Sequence, residues 1–508
     1  MRVRLHLLRG LSTHWLRLGA DIVIGIFVSP FILHRLGDEA FGIYVLVFSV
    51  TGYFGLLDMG IGTSLVRYVA RFVARGEYED LNRFLNTAFF SYCIAGSIAL
   101  AGSLIVAVNV DSIFHVAPPM HRTAQIVFVI VGMALGTGFP LGIFGGTLQG
   151  LQRFPTLDIS GICSAVTRAL LVIIVLTHGL GLIAVCLVTV GVRAIFPCFF
   201  AVLVFRAIPL KLRWRYVSWN SFKTMANFSL PSFVIGIGTS LFIYSDEAII
   251  GIFLSAVAVT YFSIAAKLAR YSTSLTDAIG DLFYPLSSHF DAIGDMEGLR
   301  KILLKGSQSC GLIALPFLVL FAVLGKPIID VWVGARYDSS YMILLILMVP
   351  LAVTKAQDPT RRIPYGMNRH RPLAIVRMAE GIANVVLAVV LVRRYGLIGV
   401  ALGTAIPMAC TALFFYPPYL CRLLKVSVLR YWYETYALAL LFCIPLAIVL
   451  ELVRRAFPVP GYATLAIQAG IGGATYGSLL LWFFLTHDPL GLKVRRHFAS
   501  FVRQALTR

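Results

Sequence analysis

The chain has 508 residues, of which 59% are hydrophobic and only 13% are charged. Soluble domains carry about 25% charged residues, so this chain lacks the polar surface that a water-soluble protein of its length needs. Its net charge of +20, from 43 Lys and Arg against 23 Asp and Glu, would suit a nucleic-acid binder only if the basic residues clustered on one polar domain. The composition excludes a soluble protein and predicts an all-α, polytopic membrane protein.

A helix needs about 20 apolar residues to cross the hydrocarbon core of a bilayer. The sequence contains fourteen segments of this kind, so we predict about 14 transmembrane helices. In chain order, these predicted spans lie at 15–34, 41–61, 85–110, 123–149, 157–177, 181–205, 226–253, 258–288, 306–325, 340–360, 373–392, 396–421, 432–450 and 462–486.

The basic residues predict the orientation of the chain. With the N-terminus inside, 28 Lys and Arg fall in inside segments and 8 in outside loops, and the remaining 7 lie within spans. An excess of Lys and Arg marks cytoplasmic loops. We therefore expect a multi-pass protein of the bacterial inner membrane with both termini cytoplasmic, and no nucleic-acid partner is needed to explain the net charge.

An internal repeat follows from one short segment. Gly76-Glu77-Tyr78-Glu79-Asp80-Leu81-Asn82-Arg83 recurs later in the chain as Gly294-Asp295-Met296-Glu297-Gly298-Leu299-Arg300-Lys301, and Gly62 pairs with Gly280 at the same offset. Six spans separate the two copies, which predicts two parallel six-helix bundles related by an axis along the membrane normal, with a site between them near the midplane. The expected domains are 1–210, 211–425, and two additional transmembrane helices with a basic cytoplasmic tail at 426–508.

Catalysis has little support in the sequence. The longest outside connections have about a dozen residues, too few to fold as an independent domain. The cysteines and histidines lack metal-ligand spacing, and no Gly-Lys-Ser/Thr phosphate-binding loop is present. We expect a protein that is not an enzyme and that needs no metal or cofactor.

Ionisable side chains within spans are costly, so each one is a candidate functional residue. At a helical rise of about 1.5 Å per residue, four of the cations fall near the bilayer centre, one lies farther along span ten, and two lie near cytoplasmic ends of spans. The candidate substrate-binding residues are Arg168, Arg193, Lys267 and Arg270, then Lys355, then Arg17 and Arg377.

Span eight has the clearest polar pattern. Lys267, Arg270, Ser274, Asp277 and Asp281 follow one another at steps of three or four and share one helix face. Such a stripe is either a fixed ion-pair seam against a neighbouring helix or the wall of a hydrated cavity, in which the carboxylates compete with substrate for Lys267 and Arg270.

Other carboxylates within spans are candidates for the same coupling role or for local pairing. Asp21 can pair with Arg17 at i, i+4 and Glu380 with Arg377 at i, i+3. The candidate ion-coupling residues are Asp277, Asp281, Asp246, Glu247 and Asp21.

Several segments resemble a known family. Leu36–Tyr44, and Leu56–Gly62 running into Arg67–Arg71, resemble the first two spans of Wzx-type polysaccharide (O-antigen) repeat-unit flippases. Asp246–Gly251, followed by Tyr261, Lys267-Leu268 and Tyr284–Leu286, is similar to their spans seven and eight. The resemblance covers most of residues 1–425.

The resemblance implies a transporter that flips undecaprenyl-pyrophosphate-linked oligosaccharide across the inner membrane by alternating access, with basic cavity residues holding the pyrophosphate. Its expected partners are the lipid-linked oligosaccharide, membrane lipids, a polysaccharide polymerase and glycosyltransferases of polysaccharide or lipopolysaccharide biosynthesis. The superfamily also contains multidrug antiporters and the lipid II flippase, which remain alternatives. An antiporter for organic cations would favour carboxylates over the four central cations, and a membrane-embedded assembly enzyme is disfavoured by the short loops.

Overall fold

The computed structural model describes residues 2–459 and 461–487 of the chain. Every regular element in these two ranges is a helix, which confirms the predicted all-α class. The predicted basic tail after residue 487 lies outside the described residues.

The α-helices follow one another with short connections. In chain order they are α1 (Arg2–Leu36), α2 (Asp38–Gly52), α3 (Ile61–Arg75), α4 (Tyr78–Val108), α5 (Val110–Ile113), α6 (His121–Gly150), α7 (Phe154–Thr177), α8 (Gly181–Ala207), α9 (Trp219–Phe253), α10 (Ala256–Gly280), α11 (Phe283–Ala292), α12 (Met296–Lys301), α13 (Ser307–Trp332), α14 (Ser339–Ala356), α15 (Asp358–Gly366), α16 (Arg371–Phe414), α17 (Tyr416–Leu424), α18 (Val428–Ala456) and α19 (Tyr462–His487). Short 3₁₀ turns occupy Tyr53–Asp58, Pro118–Met120, Trp214–Tyr216 and Ala335–Tyr337, and a π-helical turn at Ile302–Gly306 joins α12 to α13.

Eleven helical stretches of the described chain are long and apolar enough to cross a membrane. The number is smaller than the fourteen expected because Arg371–Leu424 contains predicted spans eleven and twelve as one bent stretch, with the bend at Gly396. Predicted spans eight and fourteen form α10 and α19 but are less apolar, since Lys267 and Arg270 interrupt the first and Gln468 and several glycines the second. The protein is a multi-pass membrane protein.

The helix boundaries repeat with the predicted offset. In the first repeat, helices α2, α4 and α6 begin at Asp38, Tyr78 and His121. In the second repeat, α10, α12 and α14 begin at Ala256, Met296 and Ser339. Each pair of starting residues is separated by the same number of residues as Gly76 and Gly294. The structure thus confirms the internal repeat that the short segment predicted.

The turn that carries the repeated segment has the same backbone in both copies. Gly76 and Gly294 each have φ of +71°, a conformation that costs residues other than glycine about 1–2 kcal/mol. The next amide donates to the carbonyl five residues before it in each copy, from Glu77 to Phe72 at 3.0 Å and from Asp295 to Phe290 at 2.9 Å.

Helix packing groups the residues into two compact units. The first unit contains the described chain up to Ser263 together with Ala374–Gly403, and the second contains Ile264–Leu373 and the described residues from Thr404 onward. Helices α10 and α16 therefore each contribute to both units. The predicted domain boundaries at 210 and 425 follow the sequence repeat and stay a prediction.

Each unit has its own apolar core. In the first unit, Leu65, Phe84 and Leu148 of α3, α4 and α6 are almost fully buried against one another. A Cβ on Gly96 would lie 2.4 Å from the carbonyl oxygen of Gly136, so the close approach of α4 and α6 requires glycine. In the second unit, Leu299, Leu420 and Tyr431 form one cluster, and a second cluster joins α13, α18 and α19.

Candidate functional site

A cavity of about 450 Å³ lies inside the first unit, among α2, α6, α8 and α9. Arg193 of α8 faces this cavity, and its guanidinium carbon lies 5.6 Å from the ring centroid of Phe48. The other polar lining groups are Thr51, Thr137 and Tyr244, and none of the described residues that line the cavity is acidic. The cavity is within the size range of small-molecule sites, about 300–1,000 Å³.

A second predicted cation lies near Arg193. Arg168 of α7 is close enough to Arg193 and to Tyr44 to interact with both electrostatically. In the part of the chain that the structure describes, neither arginine forms an ion pair with a carboxylate. Two neighbouring unpaired cations repel one another, and an anion placed between them relieves that repulsion. The pair is suited to a ligand with two negative charges.

The second unit contains a network of charged side chains at the ends of α10, α14 and α15. Lys355 donates to Asp277, and Arg362 contacts Asp281 at 2.8 Å and Asp358 at 3.1 Å. Arg361 adds a 3.5 Å contact to Asp358. The network connects three carboxylates with three cations, which is how buried charge is normally accommodated.

Asp358 is the most buried member of this network, with 3% of its side chain exposed. It lies directly against α10, where a Cβ on Gly280 would be 1.7 Å from its Oδ2 atom. Only glycine leaves room for the carboxylate at this position. Burial opposes the charge of Arg362, but Asp358 and then Asp281 outweigh burial and raise the pKa of Arg362 above its usual value.

The predicted stripe on α10 is therefore divided in its contacts. Asp277 and Asp281 bind cations of α14 and α15, whereas their spacing predicted that they compete for Lys267 and Arg270 of their own helix. The carboxylates lie about two to four turns from those cations, and each turn rises about 5.4 Å, so side chains of a neighbouring helix are nearer. Lys267 is half-buried and Arg270 is exposed on α10, and both have interaction partners.

Arg17 is held by two carboxylates in the first unit. It contacts Asp21 at 3.9 Å, as its spacing predicted, and Asp158 of α7 at 3.5 Å. Thr13 also donates to Asp158, at 3.2 Å. Sequence reasoning missed Asp158, although this carboxylate at the entrance of span five was itself a signal of a partner on another helix.

Arg377 and the predicted carboxylates of α9 lie in a second polar cluster of the first unit. Arg377 contacts Glu380 at 3.1 Å, which confirms the predicted pair, and lies over the ring of Phe242 at 4.2 Å. Asn384 donates to Asp246 at 3.3 Å and accepts a hydrogen bond from Ser245 at 2.6 Å.

Carboxylates dominate this cluster of α9 and α16. Glu247 is buried and has a partner, whereas Oε2 of the buried Glu380 has no hydrogen-bond partner among the residues described. Within the described ranges, no group of three His, Cys, Asp or Glu side chains is arranged to hold a metal ion.

Pairing separates the seven predicted cations into three classes. Arg17, Lys355 and Arg377 each neutralise a carboxylate that lies beside them. Lys267 and Arg270 lie on α10 and both have interaction partners, and only Arg168 and Arg193 combine mutual proximity, an adjoining cavity and the absence of a carboxylate partner in the described chain.

Residues 32–342 match the family described as "Polysaccharide biosynthesis protein". The chain belongs to this family. The uncharacterized membrane protein EpsK of Bacillus subtilis (strain 168) is 26% identical over 413 residues, which cover 79% of this chain and 81% of that relative. A putative O-antigen transporter of Shigella flexneri is 22% identical over 392 residues, covering 75% of this chain and 90% of the relative.

The fold is similar to that of a solved membrane protein. The inward closed conformation of the lipid II flippase MurJ superposes with a TM-score of 0.72 and 15% sequence identity, over 92% of this chain and 98% of that structure. At this identity the similarity establishes the fold, which belongs to the same polytopic α-helical class.

Proposed function

We propose that this member of the polysaccharide biosynthesis family is a flippase that moves a lipid-linked oligosaccharide across the bacterial inner membrane by alternating access. The substrate is an oligosaccharide attached to undecaprenyl pyrophosphate and used for O-antigen or another polysaccharide. The proposal is consistent with the O-antigen transporter named among the relatives and with the fold of the lipid II flippase. The protein then needs no catalytic residue, and glycosyltransferases and a polymerase act before and after it.

The observation that carries this proposal is the pair Arg168 and Arg193 beside the cavity of the first unit. A pyrophosphate supplies the two negative charges that relieve the repulsion between the guanidinium groups, and Arg binds phosphate oxygens bidentately. An organic cation, the substrate of the antiporter alternative, would meet repulsion at the same place. Lys267 and Arg270 remain further candidates for the same head group.

The test is transport by purified protein in liposomes, with a fluorescent prenyl-pyrophosphate-linked disaccharide as substrate. Loss of a charge-assisted hydrogen bond costs about 1.5–3 kcal/mol, so Arg193→Ala and Arg168→Ala should each slow flipping by roughly 10- to 100-fold. Arg193→Lys should restore part of the rate. Arg394→Ala, an exposed arginine of α16, is the control and should transport at the normal rate.

Full transport by both alanine variants would exclude the cavity as the head-group site. If the wild-type protein instead exports an organic cation and does not move the glycolipid, the antiporter alternative is correct.

We infer that coupling to an ion gradient involves Asp277. At a later stage of transport than its binding to Arg168 and Arg193, the pyrophosphate takes Lys355 as a counter-ion. Asp277 is then released from that pair and becomes able to bind a proton, so substrate and proton binding favour one another. Asp281 forms a comparable ion pair with Arg362. The remaining candidates for ion coupling are Asp21 on α1 and Asp246 and Glu247 on α9. Asp277→Asn should keep substrate binding but lose acceleration by a pH gradient; an Asn variant with unchanged pH dependence would make Asp277 a structural residue.

The orientation of the chain has a separate test. Gly76→Cys and Gly294→Cys, each in a Cys-free background, should both resist an impermeant thiol reagent added to intact cells. Gly334→Cys, in a predicted outside loop, should react and serves as the control. Labelling of one repeat position but not the other would contradict the parallel orientation of the two repeats.

A further inference from the structure

A second concave site lies in the second unit, on one face of α17. This α17 groove has a volume of about 460 Å³. Its lining residues are Phe414, Phe415, Pro418, Tyr419, Arg422 and Leu423. From Phe415 onward they recur at steps of three or four, so they share one face of the helix, while the opposite face, with Leu420 and Leu424, is fully buried.

The aromatic wall of the groove is held in place. The rings of Phe415 and Tyr419 stack with centroids 5.7 Å apart and planes inclined by only 6°. The hydroxyl of Tyr419 donates to the backbone carbonyl of Arg369 at 3.0 Å, which ties α17 to the segment before α16. Phe414 remains 76% exposed at the rim. The wall thus combines a large apolar surface with a fixed ring orientation.

The charge around the groove is positive. The side chain of Arg422 forms no ion pair or hydrogen bond with any residue that the structure describes. Arg300 donates to the carbonyl of Leu424 at 2.8 Å, and Arg361 lies 5.9 Å from the ring centroid of Tyr416. The nearby carboxylate of Asp358 is already neutralised by Arg361 and Arg362. Arg422 is the charged residue among those that line the groove, and none of these described residues is acidic.

The first unit lacks this combination at the equivalent helix. At the repeat offset, the position that corresponds to Arg422 is Val204, which is fully buried in an apolar core. The repeated architecture does not require an arginine or an open groove at this place. An arginine at this position is particular to the second unit, where the exposure of Arg422 indicates a role other than packing.

We propose that the α17 groove binds the head group of an acidic phospholipid at the membrane interface. Arg422 grips the phosphate, and the rings of Phe414, Phe415 and Tyr419 lie against the glycerol and upper acyl carbons. Aromatic side chains favour the interface, and basic pockets on the cytoplasmic side of membrane proteins bind anionic head groups. The predicted orientation places Arg369 and Arg422 on that side. This site is separate from the proposed transport cavity.

The test is native mass spectrometry of the full-length protein titrated with tetraoleoyl cardiolipin or with dioleoyl phosphatidylethanolamine. Wild-type protein should retain cardiolipin preferentially. Arg422→Gln should lower the affinity for cardiolipin about fivefold, the value of one interfacial arginine, and Arg422→Lys should recover most of it. Arg206→Gln, an exposed arginine near the end of α8 in the first unit, is the matched control and should bind as wild type does.

Three results would overturn the proposal. Equal cardiolipin binding by wild type and Arg422→Gln would exclude the groove. Displacement of cardiolipin by millimolar inorganic phosphate would indicate a site for soluble anions, and preferential displacement by a prenyl pyrophosphate would assign the groove to the transport substrate.

Phe414→Ser, which changes an exposed side chain and so leaves the fold intact, should weaken binding of both phospholipids; unchanged binding would remove the aromatic wall from the site.

Discussion

The turn after α3 in the first unit and the turn after α11 in the second have the same backbone, whereas the helices around them carry different polar groups. In the first unit, Asp58 accepts hydrogen bonds from the Tyr92 hydroxyl and from the Gly62 amide. In the second unit, the corresponding region holds Asp277 and Asp281 with the cations of α14 and α15. The architecture of the repeat tolerates either arrangement.

Positions at the repeat offset show how far the charges have diverged. Lys355, Asp358 and Arg362 correspond to Thr137, Pro140 and Phe144. Helix α6 is continuous across this region, whereas its counterpart is divided into α14 and α15 at Gln357. The comparison indicates that the glycine turns and the starts of the helices are shared, whereas each unit has its own charged residues. Four sets of substitutions measure the difference.

Asp358→Asn should have the largest effect on stability. The substitution leaves Arg361 and Arg362 without the buried carboxylate, and breaking a buried ion pair costs about 3–5 kcal/mol. Unfolding by SDS in mixed micelles, followed by tryptophan fluorescence, measures the loss. Asp281→Asn is the control, because its side chain is 57% exposed and an exposed pair contributes about 1 kcal/mol or less. Equal losses would mean that burial of Asp358 is unimportant.

Gly280→Ala and Gly62→Ala compare equivalent positions of the two repeats. The new methyl group would collide with Asp358 at 1.7 Å in the second unit but would lie 3.5 Å from Asp58, an ordinary contact, in the first. Gly280→Ala should destabilise by about 2–3 kcal/mol through displacement of the network, and Gly62→Ala should be neutral within about 0.5 kcal/mol. The same unfolding experiment checks both, and a larger loss for Gly62→Ala would contradict the comparison.

Tyr92→Phe removes the polar contact that is particular to the first unit. The substitution leaves Asp58 with the Gly62 amide alone, and hydrogen bonds to charged groups contribute about 1.5–3 kcal/mol. We expect the free energy of unfolding to fall by an amount near the lower end of this range, because Asp58 is only partly buried. The SDS unfolding assay measures it, and unchanged stability would show that Asp58 is fully satisfied by the turn.

Gly76→Ala and Gly294→Ala should have the smallest effects, and the two effects should be equal. Each glycine has φ of +71°, and nothing lies within 4 Å of an added Cβ, so the cost is conformational, about 1 kcal/mol in each case. Thermal unfolding of the two variants in one detergent checks this equality. A difference beyond about 0.5 kcal/mol would show that the shared geometry conceals different packing.

Sequence reasoning predicted the features that depend on spacing along one chain segment. The apolar stretches predicted the helices, and the segment at Gly76 predicted the internal repeat. Spacings of i, i+3 and i, i+4 predicted the pairs Arg377–Glu380 and Arg17–Asp21.

Contacts between helices were not predictable in the same way. The periodicity of a helix predicts which side chains share one of its faces, but it does not predict which other helix packs against that face. Asp158, Arg362 and Asn384 were missed as partners for this reason. The sequence placed Arg168 and Arg193 at a similar depth but did not predict that they lie close together. The division at Gln357 was also missed, because Asp358 and Pro359 were included in a continuous predicted span, although a proline is typical of the first turn of a new helix.

The first unit is discontinuous in sequence, and this has a consequence for biosynthesis. Asn384 of α16 binds Asp246 of α9 across 138 residues of chain, and α16 packs so closely that a Cβ on Gly238 would lie 2.8 Å from the carbonyl oxygen of Arg377. At about 5–20 residues per second, the ribosome delivers Asn384 roughly 7–28 seconds after Asp246. During that interval Asp246 has left the ribosome before Asn384 is made, so the packing of α9 against α16 forms only after α16 follows.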